Sequence, residues 1–166
     1  MNYTGNRHVG STGDVPECFM IPHNLIDFDS MGTREETAAD GRQLLLFHGV
    51  LRNEQRMMCP RCWNEMYVNN TFATRLRHLP FGSALSFISF TRRQFLCPNC
   101  GKTKMENVSF RAEHHRITKE LEVYAEELLQ RGYTNKEVSE ITGIGQSVIK
   151  EIDNKDRKST RLNSSH

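Results

Sequence analysis

Two pairs of cysteines carry the chemistry written most plainly in this chain. Cys59-Pro-Arg-Cys62 and Cys97-Pro-Asn-Cys100-Gly101 present four thiols in matching C-P-x-C form. A C-x-x-C turn sets two sulfurs on one side of a tight knuckle, and two knuckles complete the tetrahedron that Zn²⁺ prefers with four thiolates. Cys59, Cys62, Cys97 and Cys100 are therefore the expected ligands of one structural Zn²⁺. With four protein ligands the site is closed and leaves no position for a catalytic water. Gly101 lets the backbone turn with positive φ behind the second knuckle while its amides point at sulfur. The competing chemistries are thiol redox and unrelated free thiols. A redox C-x-x-C normally occurs once, at a helix N-terminus in a βαβ setting, and two matched pairs do not fit it. The fifth cysteine, Cys18, stands alone in a polar leader and reads as an unpaired bystander. His78, His114 and His115 are not needed as ligands beside four thiols and are expected in solvent or hydrogen-bonding roles.

A second chemistry is anion binding. Residues 51–111 hold ten Lys and Arg against Glu54, Glu65 and Glu106, a net charge of +7, whereas residues 1–50 sum to −4 and residues 112–155 to −3. A zinc ion with four thiolates carries −2, so the middle of the chain would remain near +5. Arg75, Arg77, Arg92, Arg93, Lys102 and Lys104 crowd onto this segment and could lie along phosphates, each contact adding a salt-dependent increment of affinity. The alternative is a solvated charged face. Phe81, Phe87, Phe90 and Phe95 read as packing for strands rather than base-stacking platforms.

The elements that must position these groups can be traced from periodicity and turn residues. Residues 43–52, rich in Leu and Phe and bounded by Gly41 and Asn53, predict a strand. Two more are predicted over 74–79 and 85–96, joined by the turn Pro80-Phe81-Gly82-Ser83. In the last third, Ile117, Leu121, Tyr124, Ala125, Leu128 and Leu129 recur at helical spacing, with Gly132 as a C-cap. Thr134-Asn-Lys-Glu137 has the form of a capping box that opens a new helix striped by Val138 and Ile141. Gly143-Ile144-Gly145 makes a turn, and Gln146 starts a third helix buried through Ile149 and Ile152. That succession is a helix-turn-helix pattern, in which the N-terminal residues of the last helix face the DNA major groove. Gln146, Ser147 and Lys150 are the candidate contacts, Gln for adenine edges and Lys for guanine or phosphate. A plain helical hairpin for packing or dimerisation is the alternative; Gly145 in place of a Ser or Thr N-cap, and Glu151 near the phosphates, weigh on that side.

Length and composition bound the rest. The chain has 166 residues, with 22 Lys and Arg against 20 Asp and Glu, and a hydrophobic share of 37 % that predicts a thin core. No apolar run approaches membrane-spanning length and no basic start leads into a secretion segment, so a cytoplasmic location without membrane partners is expected. Residues 1–42, rich in Gly, Asn, Asp and Thr, read as mostly loop or disordered, with Met1, Met20 and Met31 all plausible starts. Asp156-Arg-Lys-Ser-Thr-Arg-Leu-Asn-Ser-Ser-His166 looks like a widely used short-read sequencing adapter translated in one frame. It is read as an artefact, with the natural gene cut near Lys155. Its net charge of +2 equals that of the whole chain, so DNA affinity is argued from the basic middle and not from the total.

The order of these features resembles the N-terminus of bacterial ISL-three-type insertion-sequence transposases. The resemblance covers residues 43–155. It rests on C-P-x-C, a basic hairpin ending Arg92-Arg-Gln-Phe-Leu-Cys-Pro-Asn-Cys-Gly101, His115-Arg-Ile-Thr118 leading into a long helix, and a helix-turn-helix, with Arg77-His78-Leu79 before the turn. The resemblance implies a parent enzyme that binds the inverted repeats at the ends of its element. It would move that element by a two-metal DDE reaction on a downstream domain, so no residue here is assigned a catalytic role.

The expected architecture is α+β: a small four-Cys zinc-ribbon β module over 43–111 followed by an all-α helix-turn-helix segment over 112–155, with a leader over 1–42 and the tail over 156–166. The expected function is that of a DNA-binding transposase fragment, with double-stranded DNA at element ends as partner, self-association in the full-length parent, and no small-molecule substrate. The alternatives are a zinc-ribbon and helix-turn-helix transcriptional regulator and a C-x-x-C thiol redox protein.

Overall fold

The first strand, β1 (Phe28–Thr37), lies antiparallel to β2 (Gln43–Leu51). Its residues are exposed or half-buried apart from Phe28, which enters the core at one end. β2 is its opposite: Leu45, Leu46 and Phe47 are buried in succession, as in a strand covered on both faces. The computed structural model in which these elements are seen describes residues 27–52 and 56–163, with side chains as far as residue 155.

From β2 the chain passes through the first cysteine knuckle into a long hairpin, β3 (Tyr67–Phe81) and β4 (Ala84–Leu96), closed at Gly82, whose φ of 60° suits a residue without Cβ. β4 then slots beside β2 in parallel, with Leu44 opposite Leu85 and His48 opposite Ser89. The short β5 (Thr103–Met105) pairs with the far end of β4. The sheet order is β1-β2-β4-β3, a five-stranded mixed sheet.

Three helices follow: α1 (Lys119–Gln130), α2 (Asn135–Thr142) and α3 (Gln146–Asn163). Backbone bonds attach them to the sheet. The Arg77 amide donates to the Arg116 carbonyl (3.0 Å) and the Thr118 amide to the Arg77 carbonyl (2.9 Å), so the segment entering α1 adds a short parallel rung to the edge of β3. Thr118 then caps α1 by accepting from the Leu121 amide. Beside it the buried His78 places Nδ1 2.9 Å from Thr118 Oγ1 and Nε2 3.6 Å from Glu120. If the Thr118 hydroxyl donates to Nδ1, the Nε2 proton faces the Glu120 carboxylate.

Apolar side chains gather in three places. Phe28, Leu76, Ile88, Phe90, Val108 and Phe110 fill one face of the sheet, where Phe110 meets Phe28 and Phe90 edge-on. Ile117, Leu121, Ala125, Leu128, Val138, Ile144, Ile149 and Ile152 form the helical core, with Leu79 of β3 packed against it. Met66 and Phe95 surround the cysteines.

The expectation of an α+β chain, with a small zinc-ribbon module followed by a separate all-α segment, is corrected. The described chain is mostly β. One mixed sheet runs from Phe28 to Met105, the cysteines sit between its strands, and of the three short helices α1 and α2 dock on β3 while α3 packs on those two. Two non-local pairings are responsible. Residues 28–37, read as leader, become an edge strand by pairing with β2, and β2 becomes central by pairing with β4 across the intervening hairpin. The predicted strands over 43–52 and 85–96 lie within a residue of β2 and β4, whereas that over 74–79 is only the buried end of β3. α3 continues to Asn163, into the stretch read as adapter-derived.

Candidate functional site

The two C-P-x-C turns repeat one backbone design. In the first, the Trp63 amide donates to the Cys59 carbonyl (3.0 Å) and the Cys59 amide to the Asn64 carbonyl (2.9 Å); in the second, Gly101 donates to Cys97 (3.0 Å) and Cys97 to Lys102 (2.9 Å). Each turn needs positive φ directly after its second cysteine. Gly101 supplies it at 69°, as its position in the motif predicts, and Trp63 supplies it at 59°, where it is the one non-glycine residue with positive φ among the described residues. A left-handed conformation costs an ordinary side chain about 1–2 kcal/mol, and the Trp63 indole recovers little by packing, being 75 % exposed. Sequence reasoning passed over Trp63, although its place in the repeat of Gly101 was the available signal.

The four sulfurs converge. All lie within 4.8 Å of one another. Cys59 Sγ is 3.5 Å from Cys100 Sγ, and Cys62 Sγ is 3.4 Å from Cys97 Sγ and 3.6 Å from Cys100 Sγ. A metal at about 2.3 Å from each of four tetrahedral sulfurs would space them by about 3.8 Å, so the cluster matches a four-coordinate site with little adjustment. Backbone and amide groups favour the thiolate form: the Arg61 amide reaches Cys59 Sγ at 3.4 Å and Asn64 Nδ2 reaches Cys62 Sγ at 3.7 Å. Hydrogen bonds from the Asn64 backbone and then the Asn99 side chain hold the Cys62 thiol down to about 6. The Lys102 amide pulls Cys100 the same way, yet desolvation and three sulfur neighbours push that thiol up to about 12. Four thiols so crowded cannot all lose their protons unless a cation takes up the charge. The four cysteines are thus a site that could hold a metal ion. Cys18 lies outside the described residues.

The predicted anion-binding residues separate into two groups. Arg93 is held by Glu106, a fully buried carboxylate that accepts from the Arg93 amide (2.9 Å) and from Nε (2.9 Å), and Arg92 Nε donates to the Glu106 carbonyl (2.7 Å). This ion pair ties β4 to the segment after β5, so these two arginines serve the fold. Glu106 was not singled out in the sequence because its partner lies thirteen residues away on another strand. Lys102 and Lys104 are exposed beside the second knuckle. Arg75 and Arg77 alternate with Leu76 along β3 and so share the opposite face, both over the Phe87 ring, at 5.8 and 4.8 Å. Arg75 also stands 3.8 Å from Glu36.

Arg77 differs from the others. Its Nη1 is buried without a hydrogen-bond partner among the described residues, and it packs where a Cβ on Gly143 would stand. Burial, then the like charge of Arg42, lowers its pKa from the usual arginine value.

The helical pattern is built as its residues predict. Thr134 and Glu137 form a reciprocal capping box, with the Thr134 amide 2.7 Å from Glu137 Oε2 and the Glu137 amide 3.3 Å from Thr134 Oγ1. α2 ends at Gly143 in the left-handed conformation, φ 67°. Ser139 Oγ donates to the Ile144 carbonyl (2.6 Å) and the Ile144 amide to Thr142 Oγ1 (3.2 Å), fixing the turn. Gly145 takes the N-cap position of α3, its carbonyl accepting from the Val148 and Ile149 amides. Ile149 and Ile152 are buried, while Gln146, Ser147 and Lys150 are exposed on the other side of α3. His114 is exposed, and His115 Nε2 is 3.6 Å from Glu151.

Fold and site together define a β-rich chain with a four-sulfur cluster and an appended trihelical unit. Comparison with protein-family models, with curated proteins and with solved structures finds no match to this chain. Among the described residues no helix is long and apolar enough to cross a membrane.

Proposed function

We propose that this chain is the DNA-binding N-terminal part of a bacterial insertion-sequence transposase of the ISL-three type, with Zn²⁺ as a structural ion. What carries the proposal is the α2–turn–α3 arrangement. A capped helix, a glycine turn and a second helix bury Ile149 and Ile152 while leaving Gln146, Ser147 and Lys150 on an open face, next to cationic Arg75 and Arg77 of the sheet. A helix presented in this way fits the major groove, where Gln and Lys can address base edges.

Cys59, Cys62, Cys97 and Cys100 would hold the zinc. The ion supplies no reaction here, because four thiolates fill its coordination sphere; it contributes folding free energy at the end of the sheet where the core is small. Thiolate-favouring amides and an all-sulfur donor set support zinc over harder cations. The strand-transfer chemistry belongs, in this proposal, to a downstream catalytic domain.

The test is selection of bound duplexes from a random library by the zinc-loaded chain, followed by the double variant Gln146→Ala, Lys150→Ala. Enrichment of one sequence, and a loss of affinity for it in the variant that exceeds the loss on random duplex, is the expected result. Equal losses on both would mean that α3 does not read sequence. A sequence found at the ends of a mobile element supports the transposase, and one found at a promoter supports the regulator alternative.

A further inference from the structure

A cleft of about 510 Å³ lies where the sheet meets the helix-turn-helix, lined by Arg75 and Arg77 of β3, Phe87 of β4, His114 to Arg116 before α1, and the turn Gly143–Gly145 with the start of α3. Two distant stretches of chain, β3 and the segment before α1, thus bring arginines to one opening. Arg75 is already matched by Glu36, and His115 Nε2 faces Glu151. Exposed His114 faces its neighbour Glu113 at 3.8 Å. Arg77 and Arg116 have no carboxylate partner among the described residues.

The Arg77 guanidinium is held in place twice, by the Phe87 ring beneath it and by Gly143, whose missing Cβ leaves the space that Nη1 occupies. The side chain is thus fixed at the cleft, with Nη1 buried and without a hydrogen-bond partner among the described residues. The Arg77–Arg116 rung couples it to the second free arginine. Across the cleft, Gly145 caps α3 without a side-chain acceptor, so the first amides of that eighteen-residue helix lie outside its hydrogen-bond ladder and point the positive end of its dipole outward. Two unmatched guanidiniums facing such a helix end suit a singly charged, oxygen-rich anion with bidentate geometry.

We propose that this cleft seats one backbone phosphodiester of bound DNA, gripped by Arg77 and Arg116 and by the α3 N-terminus. The inference rests on the DNA-binding reading above and adds to it a single clamp between sheet and helix. The clamp fixes the depth and register of α3, and it includes Arg116 and Gly143, which that reading does not use.

The test compares Arg116→Gln and Arg77→Gln with the unsubstituted zinc-loaded chain, by titration of a random-sequence duplex at several salt concentrations and of inorganic phosphate alone. Arg116 is exposed, so its variant reports binding even if Arg77→Gln perturbs folding. Each folded variant is expected to lose affinity about three- to tenfold, equally for random and selected duplexes, and to flatten the slope of log K against log salt by about one. Unchanged affinity and slope in Arg116→Gln overturn the clamp and leave sequence reading by α3 untouched. Phosphate binding that depends on Arg116, with DNA affinity unchanged, overturns it in favour of a free-anion site. If the unsubstituted chain binds no duplex, the clamp and the proposed function fall together.

Discussion

At the scale of single residues, the four cysteines and Gly101 were legible because their requirements are local. A C-P-x-C knuckle dictates its own hydrogen bonds, and a glycine after the second cysteine announces positive φ. Residues whose roles depend on distant partners were not legible: Glu106 beneath Arg93, and Gly143 as the floor for Arg77. Arg92 and Arg93 resemble phosphate-binding side chains in the sequence because charge is visible there and a buried counter-ion is not. Two residues give direct tests. Cys62→Ser leaves three thiolates and is expected to lose the bound metal and, with it, the ordered knuckle end of the sheet, as metal analysis and thermal unfolding would record; retained metal and an unchanged melt would contradict the ligand assignment. For His78, burial holds the pKa down to about 4 from an ordinary 6.5. The unfolded chain therefore takes up a proton near pH 6.5 that the folded chain refuses until about 4, so His78 makes stability decline as pH falls through that window and stay level above it. Denaturant midpoints at stepped pH, compared with His78→Gln, should show that slope only in the unsubstituted chain.

At the scale of elements, the helices were the more readable half. Thr134 and Glu137, Gly143 and the Ile149–Ile152 stripe act within one or two turns, and α2 and α3 begin at the residues those signals indicate. β1 was missed because only Phe28 is fully buried along its ten residues, so it has no alternating pattern to detect. The outer half of β3 escaped for the same reason, its side chains from Tyr67 through Ala73 all being exposed. What makes β1 a strand is a neighbour, β2, and a single anchor. Phe28 sits edge-on to Phe110 at 6.1 Å and covers Gly49 so closely that no Cβ would fit there. Phe28→Ala should cost about 3–5 kcal/mol and release β1 from the edge of the sheet. Equilibrium unfolding together with amide exchange along β2 tests this, and a loss below about 1 kcal/mol would mean that β1 is not tied to the core.

At the scale of the whole molecule, the sheet is a platform shared by the four-sulfur cluster at one end and the helices at the other. β3 links them: its first residues follow the Cys59–Cys62 knuckle, and its last turn of backbone holds the segment that caps α1. A metal ion bound at the cysteines would therefore steady the same strand that carries Arg75 and Arg77 to the side of α3. The long-range pairing of β2 with β4 that makes this platform has no signature in composition or spacing, which is why a ribbon with a separate helical unit was expected instead. The central claim is that this assembly reads DNA through α3, and selection from a random duplex library with Gln146→Ala, Lys150→Ala as control tests it most directly. The account predicts one enriched sequence whose affinity falls further in the double variant than that of random duplex. No enrichment, or an equal fall on both, would contradict it.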